Sequence, residues 1–357
     1  MSYHSLFYTY KDQSPWTETG TNLICPLIVA MNEMGISGTQ IRSLIREYEK
    51  EYIPVRLPEP ETPPVTKENW RSCLGKKECY QGFVDFFAAL IEREPEMIRQ
   101  YFAAIADGIY SDALTGLIRL GYAFESGEQG EVARALAFLA AGYRPLSFEL
   151  PPAETKLFVE QIISLQTVRP DRKQSFQSGR LPARAESGAF DQGRTAHPDY
   201  FLSSRSFDQR LSQIVENRDY LDTFARLEEE NLNIYTLRAI AIRLARETGA
   251  ESMKYLFCAV HAFRVIAPLF SDLPARIQQF YLLMQAAYLA AGCPPLQPAE
   301  ESALKNWSLI FSLSAFSRSA ANLFFIYSCY REDQFAPSPI YAQMAYQTIH
   351  QEMEVKE

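Results

Sequence analysis

The chain has 357 residues, 47% of them hydrophobic, and a formal net charge of −8, enough length for one large core or for two helical halves sharing one. An acidic chain without a strong basic cluster is not expected to bind nucleic acid, and its longest apolar runs, such as Leu256 to Ile266 with Arg264 close to its end, fall short of the roughly 20 residues a membrane span requires. The opening MSYHSLFYTYKDQS lacks a basic segment followed by an apolar one, and the six scattered cysteines form no C-x-x-C pair, so the expectation is a cytoplasmic protein with reduced thiols, free of membrane.

Helical periodicity runs through nearly the whole chain and no strand-like alternation persists, which predicts an all-α fold. A helix is expected over 22–35, opened by Asn22 and closed by Gly35, and a second over 37–52. Residues 54–66, PVRLPEPETPPVT, carry five prolines and read as an extended connector. Helices follow at about 76–93, 95–107, 110–126 and 129–143, the last of them Ala-rich and stopped by Pro145. Residues 167–206 are polar, rich in Arg, Ser and Gly, and poor in periodicity, as a long loop or a mobile lid would be. Helices resume at about 207–228, 233–247, 251–270, 274–291, 300–313, 317–331 and 337–352. The expected organisation is one structural domain, with an N-terminal helical half over 1–166, the loop over 167–206 and a C-terminal half over 207–357, packed as a bundle around a central apolar pocket.

The residues alone name no reaction. The four histidines, His4, His197, His261 and His350, are far apart and enter no metal-spaced motif. No glycine-rich phosphate loop and no G-x-S-x-G elbow is present. His261 is the most informative titratable residue: it lies on an apolar helix one turn after Cys258 and one turn before Arg264. A Cys–His pair at that spacing supports nucleophilic chemistry, and a hydrogen-bonded core histidine is the simpler reading. The 23 Phe and 20 Tyr fit an aromatic-rich core or a pocket for a flat apolar ligand.

Five segments in order, TNLICPLIVAMNEMG, ENWRSCLGKKECYQGFVDFFAALI, ALTGLIRLGYAFESGEQGEVARALAFLAAGY, YLFCAVHAFRVIAPL and AANLFFIYSCYRED, resemble the questin oxidase-like family of helical aromatic polyketide tailoring oxygenases. The resemblance implies ring-cleaving oxygenation and, in some members, a non-haem iron held by histidines and a modified lysine. This chain departs from the pattern at those positions. The histidine positions hold Leu23, Pro26, Thr115, Tyr255 and Ala321, the lysine position holds Phe324, and a threonine position holds Cys258, while Asn22, His261 and Arg264 match. Leu, Pro, Ala and Phe offer iron no lone pair. The resemblance therefore implies a divergent member without metal or other cofactor, its old site turned into an apolar cavity. There His261, Tyr255, Thr115 and Asn22 are the expected catalytic residues, and Leu23, Pro26, Cys258, Ala321 and Phe324 the expected substrate-binding ones. The expected partner is a hydrophobic or aromatic small molecule. The implied function is a metal-free oxidoreductase or related tailoring step in secondary metabolism, with a non-catalytic carrier as the alternative.

Overall fold

The computed structural model describes residues 3–17, 20–51, 53–55, 64–145, 205–217, 223–297 and 306–354. Among them are fourteen α-helices and no strand: α1 Tyr3–Tyr10, α2 Ile24–Glu33, α3 Gly38–Glu51, α4 Tyr80–Arg93, α5 Ile98–Ile105, α6 Thr115–Ser126, α7 Gln129–Ala141, α8 Arg205–Glu216, α9 Ile234–Thr248, α10 Glu251–Ile266, α11 Leu273–Ala290, α12 Trp307–Ser314, α13 Ala320–Phe335 and α14 Pro339–Glu354. Two isolated bridges join Trp16 to Thr21 and Thr17 to Pro54.

The apolar patterning decides which helices lie inside. On α3 and α8 the apolar residues form one stripe. On α2, α6, α10 and α13 they run almost all round, with Ile24 to Met31, Thr115 to Ala123, Ser252 to Phe263 and Ala320 to Cys329 buried without a break. A helix buried on every side must be surrounded by others. These four pack as a ring, α2 against α6 and α13, and α10 against the same two. Around them, α7 lies on α6, α4 on α7, α9 on α10, and α14 on α13. At the α6–α10 crossing a Cβ on Gly121 would meet the Ala262 backbone at 2.6 Å, so the absent side chain lets the two helices touch.

Side-chain caps start several helices: Asn233, Asp272, Asn306 and Ser319 accept the amides of Thr236, Ala275, Leu309 and Asn322. Gly127 and Gly249 end α6 and α9 in the left-handed region, with φ of 69° and 62°. Some expected helices are shorter than their patterns suggested: the one over 110–126 begins only at Thr115, after Asp112 and Leu114 in the left-handed region. Residues 207–228 read as continuous, yet α8 ends at Glu216 and the chain at Ala225 and Leu227 is not helical. There the side chains of Gln285 and Gln278 on α11 accept the Ala225 and Leu227 amides at 3.0 and 3.1 Å, replacing helical partners with tertiary ones. Most of the expected 167–206 loop, and the connector at 56–63, lie outside the described residues; Arg205 and Ser206 begin α8. No helix among the described residues is long and apolar enough to cross a membrane.

Candidate functional site

At one end of the helix ring, helical spacing points Tyr122 and Glu125 of α6, His261 and Arg264 of α10, and Tyr327, Ser328, Arg331 and Glu332 of α13 toward one another. The result is an ion cluster inside an apolar core. His261 is fully buried, with Nδ1 2.8 Å from Glu332 Oε1 and Nε2 3.2 Å from Glu125 Oε2. Arg264 donates to Glu332 Oε1 at 2.5 Å. From α9, Arg238 pairs with the other Glu332 oxygen and donates to the Glu332 main-chain oxygen at 2.9 Å. Glu125 also accepts from the Tyr327 hydroxyl at 2.8 Å and from Arg331 Nε at 3.0 Å, with Arg264 Nη2 3.7 Å away. The rings of Tyr122 and Tyr327 stand edge-on to the imidazole, at 82° and 90°.

This geometry sets the protonation. Burial alone would lower the His261 pKa, but the carboxylates of Glu125 and Glu332 outweigh it and hold the imidazolium above its ordinary value. Burial works against the Glu125 carboxylate as well, and His261, Arg331 and the Tyr327 hydroxyl reverse the effect, bringing it down to about 2. Glu332 is lowered by the same balance, with His261, Arg264 and Arg238 opposing burial. The arrangement therefore favours a doubly hydrogen-bonded imidazolium, with three guanidinium groups around two carboxylates.

The nine residues singled out by sequence lie on the helices of this ring or at their starts. All are buried in the core, and the structure gives them different partners. Asn22 uses its Oδ1 to accept the Ile24 amide at 3.0 Å and its Nδ2 to donate to the Ser14 main-chain oxygen at 3.0 Å, which ties the N-terminal segment to α2. Thr115 starts α6 after two residues in the left-handed region, Asp112 and Leu114 at φ of 51° and 70°, an unfavourable backbone for residues with side chains. Its hydroxyl donates to the Asp112 main-chain oxygen at 2.5 Å, so the Thr21 hydroxyl, 3.0 Å away, is the donor between the two threonines. Leu23 donates its amide to the Tyr48 hydroxyl at 3.3 Å. Pro26 lies within α2, and Tyr255 and Ala321 lie on α10 and α13.

Phe324 packs edge-on against Tyr122, whose hydroxyl donates to the Phe324 main-chain oxygen at 3.0 Å and meets Ser328 Oγ at 2.8 Å. Cys258 hydrogen-bonds Ser328, and burial pushes its thiol up to about 12. The Cys258–His261 spacing thus produces no nucleophile–base pair: the thiol pairs with Ser328 and the imidazole with the two carboxylates. Sequence reading missed Glu125, Glu332, Tyr327, Arg331 and Arg238.

The residues present do not fit the histidine-held iron that the resemblance implies. His261 is the one histidine of the four ring helices, and both its nitrogens face carboxylates. No group of three or more His, Cys, Asp or Glu side chains among the described residues is placed to hold a metal ion. A groove of about 580 Å³ opens elsewhere, beside the end of α6, walled by Ile91, Ile98, Phe124, Val132 and Leu269 with Arg99 at its rim. None of the nine expected residues lines it. A family model described as questin oxidase-like matches residues 21–320, taking in four of the five resembling segments and reaching only the first residue of the fifth. No curated protein matches the chain.

Proposed function

The chain belongs to the questin oxidase-like family, and on that premise we propose that it acts on an aromatic or polyketide-like hydrophobic small molecule in a metal-free oxidoreductase or related tailoring step of cytoplasmic secondary metabolism. The observation that supports this reading is the ion cluster around His261. A buried ion pair can often be exchanged for packed apolar groups at no loss, or with a gain of roughly 1–4 kcal/mol. Stability therefore gives little reason to keep six ionisable groups inside a helix ring that is apolar at Leu23, Pro26, Ala321 and Phe324. A held proton and a fixed positive field do give one. A hydroxylated aromatic becomes reactive toward dioxygen once its phenolic proton leaves, and such a step asks the protein for positioning and for proton transfer. In this reading the phenolic proton passes to solvent, His261, held as an imidazolium by Glu125 and Glu332, supplies positive charge to the phenolate and a proton to the reduced oxygen, and Tyr255, Thr115 and Asn22 orient the ligand.

A second reading, a carrier that binds such a molecule without converting it, is favoured by the groove beside α6, whose volume lies in the range of small-molecule sites. The test supplies chelator-treated full-length protein with a hydroxylated anthraquinone under air and follows oxygen uptake and product mass. Uptake that survives chelation and disappears in His261→Gln is the expected result. Binding without uptake selects the carrier, and neither binding nor uptake removes both readings.

A further inference from the structure

The ion cluster is not sealed. Its cations lie on a gradient of exposure, with Arg238 buried, Arg264 slightly open and the Arg331 side chain 33% exposed. Arg331 and Arg264 converge on the same oxygen, Glu125 Oε1, at 3.0 and 3.7 Å. Arg331 makes that contact through Nε, and among the described residues neither of its terminal amino groups has a hydrogen-bond partner. One turn further along α13 stands Phe335, 45% exposed. Arg264 and Arg238 lie over its ring at 4.5 and 5.0 Å, and the 59%-exposed Tyr235 is stacked on it at 5.8 Å and 20°. Three guanidinium groups meet two carboxylates here. A guanidinium fork with free N–H groups and an exposed aromatic pair alongside is the recognition chemistry of an anionic oxygen on an aromatic body.

We propose that Arg331 and Arg264, with Phe335 and Tyr235 as the adjoining wall, form a subsite that receives the ionised oxygen, carboxylate or phenolate, of an aromatic ligand. The inference rests on the aromatic-ligand reading and adds to it the charge state in which that ligand binds and the end of the helix ring at which it is held. Arg331 supplies the hydrogen bonds. Glu125 holds Arg331 by Nε and so orients its terminal nitrogens, and Arg264 contributes charge.

The experiment measures binding to the full-length protein of three probes, anthraquinone carboxylate, its methyl ester and unsubstituted anthraquinone, at low and at raised salt. The expected result is that the carboxylate binds about tenfold tighter than the ester and that raised salt narrows the difference. Arg331→Gln should remove the preference by weakening carboxylate binding far more than ester binding, and Arg331→Lys should restore part of it. Far-UV circular dichroism establishes that each variant is folded. Should Arg331→Gln fail to fold, the acid-over-ester preference of the wild type and its salt dependence decide the matter. Equal binding of acid and ester, or a preference untouched by folded Arg331→Gln, overturns the subsite and leaves the aromatic-ligand reading standing. Binding of none of the three probes overturns that reading, and the subsite with it.

Discussion

Helix α6 carries two buried ionic sites of opposite design. Near its start, Arg119 donates to Glu131 of α7 at 2.7 Å, with both side chains almost wholly buried and Glu131 Oε2 without a hydrogen-bond partner among the described residues. Near its end, Glu125 joins a set in which each carboxylate has at least three partners drawn from α6, α9, α10 and α13. The first is one bond between two neighbouring helices, and it gives up one carboxylate oxygen to an apolar surrounding. The second spans the helix ring and reaches solvent at Arg331. An isolated buried pair does little beyond pinning two helices, whereas a shared network couples the protonation of one member to the position of the others.

The largest expected effect comes from removing the hub. Glu332→Leu leaves His261, Arg238 and Arg264 without the carboxylate they share, and a cost of about 3–5 kcal/mol in urea unfolding is expected, as for other buried pairs broken from one side. A loss below 1 kcal/mol would show that the cluster contributes no more than an exposed ion pair does. Next in size is the crossing that brings Glu125 to His261. Gly121→Ala places a methyl group against the Ala262 backbone, and overpacking of that kind costs about 1–3 kcal/mol. The same substitution parts α6 from α10, so the His261 ring protons should shift in NMR spectra recorded at fixed pH. Unshifted ring signals would mean that the helix contact does not set the imidazole's surroundings.

Sequence periodicity predicted the helices well because some, such as α3, α5 and α8, carry a single apolar stripe and several begin at Asn, Asp or Ser caps. It failed at 207–228, where the amides are taken up by Gln278 and Gln285 from a helix some fifty residues later, a partner that local pattern cannot show. The site was half legible. His261 stood out as an ionisable group in an apolar helix. Glu125 and Glu332 did not, because an acidic residue in the last turns of a helix ordinarily faces water. Position would have revealed them: Ile118, Tyr122 and Glu125 on α6, and Phe325, Cys329 and Glu332 on α13, fall at i, i+4 and i+7 on buried faces. The convergence of those two faces on His261 is tertiary and has no signature in either segment.

Within the cluster, Glu125 and His261 respond to pH in opposite directions. The Glu125 carboxylate lies lower in the fold, at about 2, than its ordinary 4.5, so its stabilising contribution is present above pH 4.5 and is lost as pH falls toward 2. His261 lies higher in the fold than its ordinary 6.5. Its contribution is complete below pH 6.5 and is lost as pH rises through the raised value. Stability from urea titrations should thus be flat between about pH 4.5 and 6.5 and decline on either side. His261→Gln should flatten the alkaline limb alone. A wild-type stability that climbs from pH 7 to 9 would contradict the imidazolium.

The smallest expected effect sharpens the comparison most. Replacing both members of the α6–α7 pair, Arg119→Leu with Glu131→Leu, removes two buried charges together with the unpartnered Glu131 oxygen. The expected change in stability lies within about 1 kcal/mol of zero, because neither partner is left unmatched. Either single substitution should cost several times more, since Arg119 or Glu131 would then be buried alone. The corresponding apolar exchange at the other end of α6 offers no such balance: removing Glu125 leaves His261, Arg331 and Tyr327 each short of a partner held on a different helix. Double-mutant cycles on both sites measure the contrast directly. Independent energies at Glu125 and Glu332 would reduce the cluster to a sum of pairs. Coupling between them larger than that between Arg119 and Glu131 would establish it as one ionic unit centred on His261.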